Sequence, residues 1–261
     1  MRGNVLPFDV FLFRIMISMS ERLQQLQELQ RVISGNPNNV SKETRLRFWK
    51  IVREIKRETQ PDEKEVLLAA EVRNILFTSN QGRTYALGPS LALMAFLGIL
   101  GFLGYVWTLG LHLDWMQILS WSLSDWSNFG FRFLFVFAAI AFFYPFGRLI
   151  AGRWSGIKIE GMCRDQYYEP TLKIDYVTFL KASASRRKWF FFFAGAWTAI
   201  TAFLLGIVGL VLDLDFTAFI PAILIALFEG YVISSGNVKP SGGEMGHYNR
   251  EKRIESELKR M

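Results

Sequence analysis

Hydrophobic positions in this chain follow two regimes. Before Arg83 they recur three or four residues apart among polar neighbours, and after it they fuse into long apolar runs. Two of those runs, Trp189 to Leu212 and Phe216 to Ser235, are separated only by Asp213-Leu214-Asp215. Each has about 20 residues, the length of helix that crosses a hydrocarbon layer about 30 Å thick. The pair therefore reads as a transmembrane hairpin. Upstream, residues 84–111 carry no charge and residues 129–150 form a Phe-rich run, so the pattern predicts four spans: 84–111, 129–150, 189–212 and 216–235. The expected fold class is all-α, a polytopic membrane protein built as a four-transmembrane-helix bundle. An N-terminal helical region and a C-terminal helix flank that bundle.

The sparser regime predicts three helices over residues 20–82. The first takes Ser20 as its N-cap, carries Leu23, Leu26, Leu29 and Ile33 on one side, and ends at Ser34-Gly35-Asn36. The second starts near Ser41, presents Leu46, Trp49, Val52 and Ile55, and stops before Pro61. The third runs from about Asp62 to Thr78 with Val66, Ala69, Ala70, Val72, Leu76 and Phe77 available for packing. So few apolar side chains per helix make a marginal unit on its own. It is expected to pack on the bundle's loops or on a partner. Before it, residues 1–19 hold an apolar patch, Val5 to Ile17, interrupted by Asp9 and Arg14 and short for a span. The patch reads as an interfacial helix or, preferably, as sequence upstream of a start at Met16 or Met19; no small-residue cleavage site follows it.

The connections carry their own signals. Residues 112–128 contain Trp115, Trp121 and Trp126 but no Lys or Arg, which suits a surface-lying helix in a headgroup layer. Asp114 and Gln117 have the spacing of a capping-box variant at its start. In the first span Ala92, Ala95, Gly98, Gly101 and Gly104 place a small residue at every third position, which lets another helix approach closely. Tyr144-Pro145-Phe146-Gly147 predicts a break in the second span. The long loop, 152–188, is basic and is expected to enter a helix near Asp175 that runs into Arg186-Arg187-Lys188. A Gly and Pro hinge then leads into the charged tail, 237–261, helical from about Glu244.

Charge orients this arrangement. With 51% hydrophobic residues and 30 Lys+Arg against 23 Asp+Glu, net +7, the charges must be segregated along the chain. The N-terminal region, the long loop and the tail hold the Lys and Arg, while residues 112–128 and 213–215 have none. The positive-inside rule then places both termini and the long loop in the cytosol. No basic and aromatic interleaving on a soluble domain supports nucleic-acid binding, so none is expected. The expected partners are anionic lipid headgroups and a second membrane protein or a second copy of the chain. Arg186, Arg187 and Lys188 are read as lipid-phosphate anchors, each worth about 1 kcal/mol near the surface.

Candidate chemistry is sparse. There is no GxxxxGK(S/T) phosphate loop, GxSxG elbow or HExxH motif. Cys163 is the only cysteine, which excludes an internal disulfide and a CxxC site, and His112 and His247 are the only histidines. Asp213-Leu214-Asp215 has DxD spacing, but three residues between spans leave no room for a nucleotide, so it reads as a helix turn. Glu244, His247 and Glu251 share a helix face at i, i+3, i+7, resembling half of a di-metal site that has no second ExxH. No metal and no cofactor are expected.

Ionisable groups inside spans are costly and each needs a partner. Arg148 and Glu229 lie at similar depth and are predicted to pair, or to line one wet crevice; a structural pair is preferred over proton handling or a headgroup site. Arg132 is expected to meet Asp125, Asp213 or Asp215, or to reach lipid phosphate. The weak catalytic candidates are Glu160, Asp165, Glu169, Glu244 and His247, with Tyr168 and Arg250 beside them. They read as a salt-bridged seam or, secondarily, as an acid–base site acting on a lipid head. Three functions follow in order: a non-enzymatic membrane assembly component, a membrane-interface enzyme, and a small transporter or channel subunit using Glu229 and Arg148.

Overall fold

Side-chain caps set where most of the helices begin. In the computed structural model, which describes residues 8–81, 83–164, 170–236 and 243–260, Ser41 accepts from the Thr44 amide at the head of α2 (Lys42–Ile55). Asp62 accepts from the amides of Lys64 and Glu65 at the head of α3 (Glu63–Gln81). These oxygens satisfy amides that a helix start otherwise leaves without partners. Ser20 has no such role, because α1 (Phe8–Gly35) runs continuously through it. Val5 of the early apolar patch lies outside the described residues.

The three helices close on one core. α1 buries Leu26, Leu29 and Ile33, and α3 buries Val66, Ala69, Ala70, Val72 and Leu76. α2 buries Phe48, Ile51, Val52 and Ile55, while Leu46 and Trp49 are exposed. Its inner face is thus one step round from the expected one. Phe48, Ile51, Val52 and Ile55 form an i, i+3, i+4, i+7 stripe, wider than the one Leu46 and Trp49 would have made. The same core takes in Ala151, Ile157, Tyr176, Phe179, Leu180, Phe190 and Phe191, so the N-terminal helices pack on the base of the bundle.

α4 (Leu87–Leu109), α5 (Leu123–Ser155) and α7 (Ala184–Asp213) are each long and apolar enough to cross a membrane. α8 (Phe219–Ser234) is apolar but has only 16 residues, about 24 Å of helix. Leu93, Phe96, Leu134, Phe137, Phe203, Leu204, Leu224 and Leu227 remain exposed on these helices, an outer surface compatible with a membrane protein. α4 and α5 touch through the small-residue series. A Cβ on Gly101 would stand 2.8 Å from the Ala139 backbone nitrogen, and one on Gly98 would stand 3.0 Å from the Phe143 ring. α5 begins at a capping box made by Ser122 and Asp125, downstream of the Asp114–Gln117 spacing. Asp114 instead caps a short 3-10 turn, Trp115–Ser120, so residues 112–128 hold no long surface helix ahead of α5.

Two further expectations are corrected. α5 passes through Pro145 without ending, and the Trp197 indole of α7 donates to the Phe143 carbonyl in that turn at 3.0 Å. The long loop opens with strands, ahead of the helix expected near Asp175: β1 (Ile159–Arg164) and β2 (Pro170–Ile174) form an antiparallel pair, and Tyr85 exchanges two backbone hydrogen bonds with Met162. Asp175 then caps α6 (Tyr176–Lys181), and Ser183 starts α7 afresh by accepting from the Arg186 amide. The helix expected to run from Asp175 into Arg186 is therefore two helices meeting at Ala182. The last element, α9 (Gly243–Leu258), lies across α7 and α8.

Candidate functional site

α9 collects the buried charges at the basic end of the bundle. It seats because Met245 packs on Gly195 of α7 and the Asn249 amide donates to the Val232 carbonyl of α8 at 2.7 Å. Four carboxylates of α9 then each meet a cation from another element. Glu244 is held by Arg148 of α5, whose Nε lies 2.7 Å from Oε1, and accepts from the Tyr144 hydroxyl at 2.8 Å. Glu251 is bound by Arg187 of α7 at 2.7 Å and by Lys56 at the end of α2. Glu255 takes Lys188 at 2.5 Å, and Glu257 takes Arg57 at 2.9 Å.

The electrostatics follow from that clustering. Burial alone would raise the Glu251 carboxyl, but Lys56 and Arg187 outweigh it and hold the group below the usual carboxylate range. Glu255 is lowered by its hydrogen bond from Lys188. Burial, with Arg250, Arg148 and Lys56 nearby, pushes His247 well below the ordinary imidazole range. Its ring stacks on Phe191 with centroids 4.7 Å apart, and Arg250 donates to it. His247 is thus a neutral, packed acceptor.

Several expected roles change. Arg148 pairs with Glu244, not with Glu229, because α9 folds back beneath α5 and brings a carboxylate closer than α8 does. Its Nη1 donates to Thr171 Oγ1 at 2.5 Å and to the Leu172 carbonyl at 3.2 Å. Arg187 is 2% exposed and Lys188 is paired, so neither is turned to lipid as an anchor; Arg186 is exposed. Glu160 pairs with Lys173 at 2.6 Å across the β hairpin. Asp165, Glu169 and Tyr168 lie outside the described residues. Lys56, Tyr144 and Asn249 belong to the cluster with no local signal in the sequence, whereas Glu251 shares the face of Glu244 and His247 and was legible there.

The opposite end holds a second charged cluster. Arg132 of α5 meets Asp215 at 2.8 Å and donates to the Thr108 carbonyl at 2.6 Å. Tyr105 donates to Asp215 at 2.9 Å, and the Thr217 hydroxyl does so at 2.8 Å. Among the three carboxylates expected for Arg132, Asp215 is the one it meets. Asp213 lies 2.9 Å from His112, so the two aspartates of the corner turn to different partners.

Among the described residues no group of three or more His, Cys, Asp or Glu is placed to hold a metal ion. Comparison of the chain with known protein families, with curated proteins and with solved structures finds no match.

Proposed function

We propose that this chain is a multi-pass membrane protein with four spans, α4, α5, α7 and α8, and with both termini and the 152–188 loop in the cytosol. In this reading it acts as a non-enzymatic assembly component. The observation that carries it is the fate of the polar groups: Glu160, Glu244, Glu251 and Glu255 are engaged in ion pairs between elements, and His247 is stacked on Phe191. A general acid or base must reach a substrate proton, and these groups reach each other. What they build is a rigid joint between the N-terminal helices and the bundle. On the N-terminal helices Val32, Leu46, Trp49 and Leu67 present exposed apolar side chains, available to a partner protein or a second copy of the chain.

Sidedness is supported by the Lys and Arg of the N-terminal region, the long loop and the tail, against none in residues 112–128 and 213–215. Reporter fusions placed after Met261 and within residues 112–128 test it. The tail fusion is active only in the cytosol and the loop fusion only outside; a tail reporter on the outer surface ends the reading. The assembly role is tested by the mass of the purified chain in detergent and by crosslinking in native membranes. Trp49→Glu with Leu46→Glu abolishes the assembly while leaving the melting profile unchanged.

A further inference from the structure

The end of α5 and the start of α7 lie side by side at the basic end of the bundle. Gly147 of α5 packs directly on Trp197 of α7, and the Trp154 ring stands edge-on to Phe193 with centroids 5.0 Å apart. The two helices therefore run antiparallel there, and their apolar stretches end together. Beyond that point three cations gather on or beside one turn. A Cβ on Gly156, the left-handed residue that closes α5, would lie 3.8 Å from Arg186 Nη1. Arg153 sits in the last turn of α5 before that glycine, and Lys158 follows it with its amide fixed on Thr178 Oγ1 at 3.0 Å.

The seam is graded along its length. Arg186, Trp189 and Phe193 recur at i, i+3 and i+7, so they share one stripe of α7. Along the helix axis Trp189 lies about 4.5 Å and Phe193 about 10 Å deeper than Arg186, and the Trp189 and Phe193 rings are 5.8 Å apart. Trp154 is 75% exposed and Trp189 44%, and all three cations are exposed. Exposed indoles at the end of apolar helices suit the boundary between acyl chains and headgroups, and cations just beyond them suit phosphate. Cation, indole and apolar ring thus follow the order of phosphate, glycerol and acyl chain in a phospholipid.

Carboxylates close to the seam are committed elsewhere. Glu160 pairs with Lys173, Asp175 caps α6, Glu251 binds Arg187 and Glu255 binds Lys188. Among the described residues none forms an ion pair with Arg153, Lys158 or Arg186. The seam therefore carries positive charge, with no carboxylate left to meet the ammonium of a zwitterionic headgroup.

We propose that this seam is a binding site for an anionic phospholipid. Arg153, Lys158 and Arg186 hold its phosphate, and Trp154 and Trp189 pack on its glycerol and the upper part of its acyl chains. Arg186 keeps the anchoring role expected of the basic run at the start of α7, while its partners come from the end of α5 and the turn after it. The site rests on the reading of α5 and α7 as membrane spans. It depends neither on the assembly role nor on which side faces the cytosol.

Native mass spectrometry of the full chain in detergent, titrated with phosphatidylglycerol or with phosphatidylcholine of the same acyl chains, tests the site. The parent chain holds phosphatidylglycerol in preference, and inorganic phosphate in large excess does not displace it. Replacing Arg153→Gln, Lys158→Gln and Arg186→Gln together weakens phosphatidylglycerol binding by at least about tenfold, with the melting profile unchanged, and Arg186→Gln alone takes part of that loss. Replacing Lys42→Gln, Lys50→Gln and Arg53→Gln, which removes the same charge from exposed positions of α2, leaves the binding as it was. Equal retention of the two lipids by the parent chain overturns the site. So does undiminished affinity in the triple or the Arg186 variant, an equal loss in the α2 variant, or displacement by inorganic phosphate. A chain that stays dispersed without detergent ends the membrane reading instead, so the two failures are told apart.

Discussion

Arg132 of α5 and Asp215 of the corner between α7 and α8 meet at 2.8 Å with neither side chain exposed to solvent. Their pairing ties the corner between α7 and α8 to α5, and the Arg132 bond to Thr108 extends the tie to α4. A buried pair of this kind adds little net stability over an apolar replacement, yet removing one partner strands the other. Arg132→Leu is therefore expected to cost about 3–5 kcal/mol. Tyr105→Phe, which removes one donor to Asp215, is expected to cost about 1 kcal/mol. Thermal unfolding in detergent measures both, and equal losses for the two variants would contradict this ordering.

The Arg148–Glu244 pair predicts a specific pattern of coupling. A double-mutant cycle with Arg148→Met and Glu244→Gln yields an interaction of about 1–3 kcal/mol, because the residues share hydrogen bonds. The same cycle with Arg148→Met and Glu229→Gln is additive within about 0.5 kcal/mol. A larger coupling to Glu229 than to Glu244 would restore the pairing that the sequence alone suggests.

Acidification loosens α9 in two stages. His247 titrates below its ordinary value, so the stability it contributes is complete above about pH 6.5 and is lost as pH falls toward its folded value. Glu251 is likewise lowered, and its contribution is complete above about pH 4.3 and disappears further down. Melting temperatures taken between neutral and acid pH fall in both windows for the parent chain. His247→Phe, which keeps the stack on Phe191, removes the upper fall and leaves the lower one; a profile unchanged by this substitution would show that His247 does not govern it.

Glycines on α4 and α8 respond oppositely to the same substitution. A Cβ at Gly101 meets the Ala139 backbone at 2.8 Å, and backbone cannot step aside as a flexible side chain can. Gly101→Ala is expected to destabilise by about 1–3 kcal/mol. At Gly230 a new Cβ meets nothing within 4 Å, so Gly230→Ala is neutral or stabilising by up to about 1 kcal/mol through helix propensity. Comparative melts of the two variants decide it, and a harmless Gly101→Ala would refute the close approach of α4 and α5.

Local physics was readable from the chain, and long-range pairing was not. Ser41, Asp62 and Asp175 announce their helices because a cap acts on amides two or three residues away. The apolar runs of α4, α5 and α7 are legible for the same reason, since hydrophobic length is a property of consecutive residues. The inner face of α2 was misjudged, as a face is chosen by what lies opposite it. The β1–β2 pair escaped notice because its stability comes from a partner strand and from Tyr85.

By itself, then, the sequence determined how much apolar helix there is, where most helices start, and on which segments the charge lies. Only the tertiary structure decided which charge meets which: Arg148 goes to Glu244 across 96 positions, Arg187 to Glu251 across 64, and Arg132 to Asp215 across 83. The physical reason is that helix formation and hydrophobic length are written in neighbours. A buried ion takes whatever opposite charge packing brings within about 3 Å, whatever its distance along the chain.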